Sequence, residues 1–196
     1  MNIVHVVDSL ERGGQETFVI NLAIVQRQNN HKVTIVCLHT LGVLAERANK
    51  HDLSVILLQK NSSNKQIIMS LKGTLNTLSP DIIHTHNRRP LFLSLFAKPN
   101  WSRRIINTRH GNAVRGLYWQ IAAIFINKIV NVSEDLFQAS SWFNRHLLGF
   151  KNSTITNGIL ISEEVCEGQF KGQIIMVGRL NQVKNHALAL RTIQRC

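Results

Sequence analysis

Cysteine is scarce in this chain, acidic residues are few, and long apolar runs are missing. The three cysteines, Cys37, Cys166 and Cys196, are far apart and match neither metal-ligand nor disulfide spacing, which points to a reducing compartment. No apolar run approaches the roughly 18 residues of a membrane span. Ile121 to Ile126, flanked by Gln120 and Asn127-Lys128, reads as one buried helix face. The N-terminus opens directly on strand-like residues rather than on a secretory leader, so the expected location is cytoplasmic. Eleven Asp and Glu stand against 23 Lys and Arg, a formal net charge of +12. Between Asp81 and Glu134 there is no carboxylate, while Arg88, Arg89, Lys98, Arg103, Arg104, Arg109, Arg115 and Lys128 all fall there. Such a field favours an anionic partner: a nucleotide, a phosphorylated substrate or an anionic lipid surface. A merely solvated basic face is the plainer alternative. Nucleic acid is disfavoured, because aromatic interleaving, an RNP-like strand and a recognition helix are all lacking.

Two nucleotide signatures are absent as well. The turn after the first strand, Asp8-Ser9-Leu10-Glu11-Arg12-Gly13-Gly14, is not G-x-G-x-x-G. The next strand ends in His39-Thr40 without the carboxylate that would take a ribose. Hydride chemistry on a dinucleotide is therefore disfavoured. The phosphate loop G-x-x-x-x-G-K-[ST] does not occur.

What is present is an alternation. Strand-like runs at Asn2–Val7, Lys32–Leu38, Leu53–Leu58, Asp81–Thr85, Arg104–Asn107 and Ile129–Val132 alternate with helix-like spacing. The helices are expected at 15–28, Leu41–Lys50, Lys65–Leu78, Leu91–Ala97, Leu117–Ile126 and Glu134–Leu147. This order predicts an α/β fold, a doubly wound parallel sheet whose ligand edge is the carboxyl end of its strands. Ile155 to Ile159 reads as a further strand closing in an Asn-Gly turn. A first domain is thus expected over 1–158, and 159–196 as the incomplete start of a second Rossmann-like domain. One strand and one helix are far too little to fold alone.

Several residues on that edge carry chemistry. Gly13 and Gly14 stand between a strand and a helix, where backbone can approach a ligand beneath a helix N-terminus. His84 and His86 bracket Thr85, so they share one face; His84 is expected to pack inside, and His86 with Asn87 to reach the cleft edge. His110-Gly111 follows the fifth strand closely enough to project over the cleft. Ser133 suits a helix N-cap. Near the C-terminus, the run Ile174 to Val177 reads as a strand that stops at Gly178, followed by Arg179 and Lys184. Two fixed cations at a strand end, with a helix starting beyond them, suit a phosphate or diphosphate.

Together these stretches resemble family 4 glycosyltransferases of the GT-B architecture. The matching pieces are Gly13-Gly14-Gln15-Glu16, Asp81-Ile82-Ile83-His84-Thr85-His86, Arg109-His110-Gly111, Val132-Ser133-Glu134, Thr156-Asn157-Gly158-Ile159, and Val177-Gly178-Arg179-Leu180 with Lys184. The resemblance implies two Rossmann-like domains and transfer of a sugar from a nucleotide-sugar with retention. Arg179 and Lys184 would hold the donor diphosphate and stabilise the leaving group. Gly13 and Gly14 would approach the same donor, and His110 would contact its sugar hydroxyls. The catalytic set implied is His110, Arg179 and Lys184, with no metal and no other cofactor. His86, Asn87 and Arg109 are the acceptor-side candidates. The acceptor implied is a lipid-linked or cell-envelope glycan, with peripheral contact to an anionic membrane. Two departures stand out. No two glutamates are separated by seven residues as in the family's second domain, and Leu160 replaces the Asp expected after Asn157-Gly158-Ile159. The expectation is a truncated chain, or one part of a split enzyme, with a non-catalytic anion-binding remnant as the alternative.

Overall fold

A computed structural model describes residues 1–58, 63–97, 104–111, 117–158, 174–178 and 185–193. The chain divides into two compact units, Met1–Leu160 and Ile161–Cys196. In the first, β1 (Asn2–Ser9), α1 (Gly14–Gln28), β2 (Lys32–Thr40), α2 (Ala45–Lys50), β3 (Ser54–Leu57), α3 (Asn64–Leu78) and β4 (Ile82–His86) follow one another. They continue into α4 (Arg88–Ala97), β5 (Arg104–Arg109), α5 (Leu117–Ile124), β6 (Lys128–Asn131), α6 (Glu134–Gln138), α7 (Trp142–His146) and β7 (Asn152–Thr154). The strands form one parallel sheet in the order β3-β2-β1-β4-β5-β6-β7. This is the doubly wound α/β fold the sequence predicts. Its order reverses between β1 and β4, which opens the crevice where such sheets take ligands.

Burial on both faces explains the strand sequences. Ile3 to Val7 of β1 are all buried, so polarity does not alternate along it. Side chains still do. Val4 and Val6 join a core with α3, α4 and α5, whereas Val7 joins a second core with α1 and α2. His5 lies between Val4 and Val6, hence on the α1 face. Helix α3 shows how local sequence sets an element. Ser63 and Gln66 form a reciprocal capping box, Ile67, Leu71 and Leu75 bury one stripe, and Ser79 ends the helix in a left-handed conformation before Pro80. Among the described residues no helix is long and apolar enough to cross a membrane.

One glycine is required by the backbone. Gly42 has φ +71, and a Cβ there would lie 2.3 Å from the Leu10 carbonyl carbon. The turn after β2 thereby docks on the turn after β1, with hydrogen bonds from Leu10 N to Leu41 O and from Leu44 N to Leu10 O. Gly42→Ala is expected to cost about 2 kcal/mol or more, read as a lower urea midpoint; an unchanged midpoint would show that the turn adapts freely.

Three elements differ from the sequence reading. The single helix expected over Glu134–Leu147 is two short ones. Between them the buried Ser140 accepts a hydrogen bond from Arg109 Nη1 at 2.6 Å and donates to Leu136 O at 3.1 Å. Among the described residues the last strand is Asn152–Thr154; of the expected Ile155–Ile159, residues 155–158 form no strand and Ile159 lies outside the described residues. After Ile155 N donates to Asn131 O the backbone leaves the sheet, and Ile155 is exposed. In the second unit, Ile174 to Val177 form no strand. Their side chains are exposed, Val177 to 90%, and among the described residues no strand pairs with them. A strand is held by its neighbours' backbone, so apolar composition alone does not make one. Helix α8 (His186–Ile193) forms, with no buried residue.

Candidate functional site

The crevice is built from three strand ends and one helix. In the register, His5 pairs with His84 across β1 and β4, and His86 pairs with Thr108 across β4 and β5. Residues paired in a parallel ladder point to the same face, so His5, His84, His86 and Thr108 converge beneath α1. His110, one residue past β5, continues that row. The contacts are close. His5 Nε2 lies 2.7 Å from Gln26 Oε1, His5 Nδ1 lies 3.0 Å from His86 Nε2, and His86 Nδ1 lies 3.1 Å from His110 Nε2. His84 Nε2 meets Thr108 Oγ1 at 2.7 Å. The Phe18 ring of α1 stands edge-on to His110, 5.0 Å between centroids.

Burial keeps these imidazoles neutral. It pushes His5 and His110 down to about 4. His84 and His86 are held well below the usual value, by burial first and by neighbouring imidazoles second. Three ring nitrogens, one each from His5, His84 and His86, lie within 4.8 Å of one another. Neutral and converging, they have the composition of a metal-ligand set. In this arrangement, however, the His5 and His86 nitrogens share a hydrogen bond, which a metal would have to displace.

A cavity of about 440 Å³, with Phe18 in its lining, opens on the first unit. Arg12 and Gly13 border it from the turn, Gly14 and Phe18 from α1, and Asn157 and Gly158 from the segment after β7. The helix N-terminus there has no side-chain cap, since Gly13 occupies the N-cap. Gly13 has φ −170, extended backbone open to any residue, and the Glu16 side chain folds over it. Gly14 is the open position, with nothing within 4 Å of a Cβ built on it. Of the two glycines, Gly14 is the one that leaves room for a ligand against backbone.

The other candidates distribute unevenly. Asn87 stands at the crevice, half-buried, with φ 69; its side chain donates to Gln15 Oε1 of α1, and its backbone N–H donates to Thr108 O at 3.1 Å. His86 is corrected: it does not reach the cleft edge but is fully buried, because it follows His84 on the face that α1 covers. Arg109 is corrected too. It precedes His110, so the pleat turns it to the opposite face. There it is 4% exposed, bonded through Nη1 to Asn131 Oδ1 and Ser140 Oγ, and stacked 5.5 Å from the Trp119 ring centroid. In that position its Nη1 is taken up by protein groups rather than turned toward the crevice. Ser133 caps α6, accepting from Leu136 N. Arg179 and Lys184 lie outside the described residues. Sequence reasoning missed His5 and Gln26 altogether. A lone histidine inside an otherwise β-branched strand was the available signal for the first.

Comparison with known proteins adds a family. Residues 12–159 match the family described as Glycosyltransferase Family 4. No curated protein sequence matches the chain. Among solved structures, the chain is similar to a glycosyltransferase from Rickettsia africae at 22% identity and TM-score 0.62, covering 81% of this chain and 43% of that one. It is similar to HepE from Anabaena, solved with UDP and glucose, at 16% identity and TM-score 0.62, covering 80% and 44%. It is also similar to the lipopolysaccharide outer core galactosyltransferase WaaB, at 13% identity and TM-score 0.64, covering 88% and 50%. These likenesses concern the fold, and the chain spans about half the length of each neighbour.

Proposed function

The chain belongs to glycosyltransferase family 4, and from that premise we propose that it binds a nucleotide-diphosphate-sugar for transfer of the sugar to an acceptor. The observation that carries this is the uncapped N-terminus of α1 at Gly13-Gly14, bordering the 440 Å³ cavity with Phe18 and His110 close by. Uncapped backbone N–H groups suit a diphosphate, and the open face of Gly14 lets it approach. His110 offers a neutral ring nitrogen to a sugar hydroxyl. Arg179 and Lys184 would neutralise the diphosphate without a metal, so the donor's affinity should survive EDTA. Retention at the anomeric carbon, and a lipid-linked or envelope glycan as acceptor, complete the reading. The acid-free stretch between Asp81 and Glu134 would draw the protein to an anionic membrane surface.

A second reading has its own support: donor binding without turnover. It is favoured by the exposed Ile174 to Val177 just before the two cations, which pair with no strand among the described residues. Labelled nucleotide-sugars and lipid acceptors, incubated with the full chain and with Arg179→Ala and Lys184→Ala, separate the two. Transfer lost in both variants supports catalysis. A folded chain that binds a donor by calorimetry but transfers from none supports the second reading, and a chain that binds no donor refutes both.

Gly14→Ala isolates the cavity. The added methyl meets no protein atom and favours the helix, so the unfolding midpoint should hold or rise. Donor affinity should fall about tenfold, about 1.4 kcal/mol, if backbone contact is made there. Unchanged affinity in calorimetry would move the diphosphate elsewhere.

A further inference from the structure

The four side chains Gln26, His5, His86 and His110 lie in one unbroken line of hydrogen bonds, and its polarity is determined from one end. A neutral imidazole has one N–H and one lone pair. Gln26 Oε1 can only accept, so His5 carries its proton on Nε2. His5 Nδ1 is then a lone pair and must accept from His86 Nε2–H. His86 Nδ1 in turn must accept from His110 Nε2–H. What is left at the far end is the lone pair of His110 Nδ1. That atom is buried and has no partner among the described residues. An acceptor left without a donor is a more common state in proteins than a buried N–H left without an acceptor, so the polarity suits the unpartnered end. His84 does not interrupt the line, since its Nε2 is engaged with Thr108 Oγ1. Phe18 packs on His110 from α1 and offers no competing polar group.

We propose that Gln26, His5 and His86 act as positioning residues that fix the His110 tautomer, so that its Nδ1 is a hydrogen-bond acceptor for a sugar hydroxyl. This rests on the sugar-transfer reading above and sharpens it into a selection rule. A hydroxyl can donate to the lone pair, whereas an unprotonated phosphate oxygen is repelled by it. His110 therefore reads the sugar and leaves the diphosphate to backbone N–H groups and cations. With the polarity reversed, every proton moves to Nδ1, and His110 presents a donor instead.

The test is side-chain nitrogen NMR on the full chain, labelled with ¹⁵N, at neutral pH. His5, His86 and His110 should all be Nε2–H tautomers. Gln26 is half-buried on α1, so its variants should fold. Gln26→Leu should reduce the Nε2–H population at His110, and Gln26→Glu, which still only accepts, should restore it. A purely structural Gln26 would leave the tautomers unmoved in both. UDP-glucose should shift the His110 Nδ1 resonance upfield where UDP alone does not, and Gln26→Leu should abolish the difference. Nδ1–H on any of the three histidines overturns the relay whatever the ligand does. So does stoichiometric Zn(II) uptake that removes the Nε2–H signals, since the cluster would then be a metal centre. Tautomers as stated with no response to UDP-glucose would leave the relay standing and count against the sugar-transfer reading.

Discussion

Between pH 6.5 and pH 5 the protein should lose much of its folding stability. His5 titrates near 6.5 in an unfolded chain and is held down to about 4 when folded, because burial removes its charged form from water. Above 6.5 neither state binds the proton and stability does not depend on this group. As pH falls below 6.5 the unfolded chain takes up a proton that the native state refuses, so stability is lost until the folded value is passed. One such histidine costs about 2 kcal/mol at pH 5 and about 3 kcal/mol below pH 4. His84, His86 and His110 shift the same way and add to the slope. The groups in contact with them, Gln26, Phe18 and Thr108, carry no charge that could hold a proton in place. Against a domain stability of about 5–15 kcal/mol, the sum brings acid unfolding to about pH 5. Urea midpoints by circular dichroism across pH 8 to 5 give the answer. A flat profile over that range would mean the imidazoles charge inside the fold.

The sheet was legible because a parallel sheet covered on both faces writes itself as short apolar runs. Ile3 to Val7 (broken only by His5), Ile35 to Leu38 and Ile129-Val130 are such runs, and all lie in strands. The same rule misleads where its premise fails. Ile174 to Val177 have the composition of a strand but no strand neighbour among the described residues, and stay exposed. Asn152–Thr154 has no apolar residue, yet it joins the sheet as its edge, because backbone pairing with β6 needs no particular side chain. The site divides along similar lines. His84 and His86 were readable as a pair, since period two puts them on one face. That His5 lies 3.0 Å from His86 was not, because 81 residues separate them and only the register of β1 on β4 brings them together. Arg109 and His110, adjacent in the motif, were both expected at the cleft, His110 on the donor side and Arg109 on the acceptor side. The pleat separates them, and the row of histidines continues with only the second.

Arg109 is the sharpest consequence of that separation. Its guanidinium is a buried cation, and among the described residues no carboxylate pairs with it; burial lowers its pKa. Two effects oppose each other when it is removed. Relief of desolvation favours the variant, as when buried charges are replaced by apolar groups. Against that, Asn131 Oδ1 and Ser140 Oγ lose the donor they share, at about 1–3 kcal/mol for each group left unpaired. A cavity also opens beside Trp119. The second set wins for Arg109→Ala, with an expected net loss of about 3 kcal/mol. Arg109→Met keeps the volume and should lose less. Asn131 also donates to Asn152 Oδ1, so the loosening should spread to β7 and appear as faster amide exchange at Ser153 and Ile155. In the fraction that stays folded, donor affinity should be unchanged, because the crevice lies on the other face of β5. The opposite result, a full urea midpoint with lost acceptor use, would return Arg109 to the acceptor side, where the motif alone had put it.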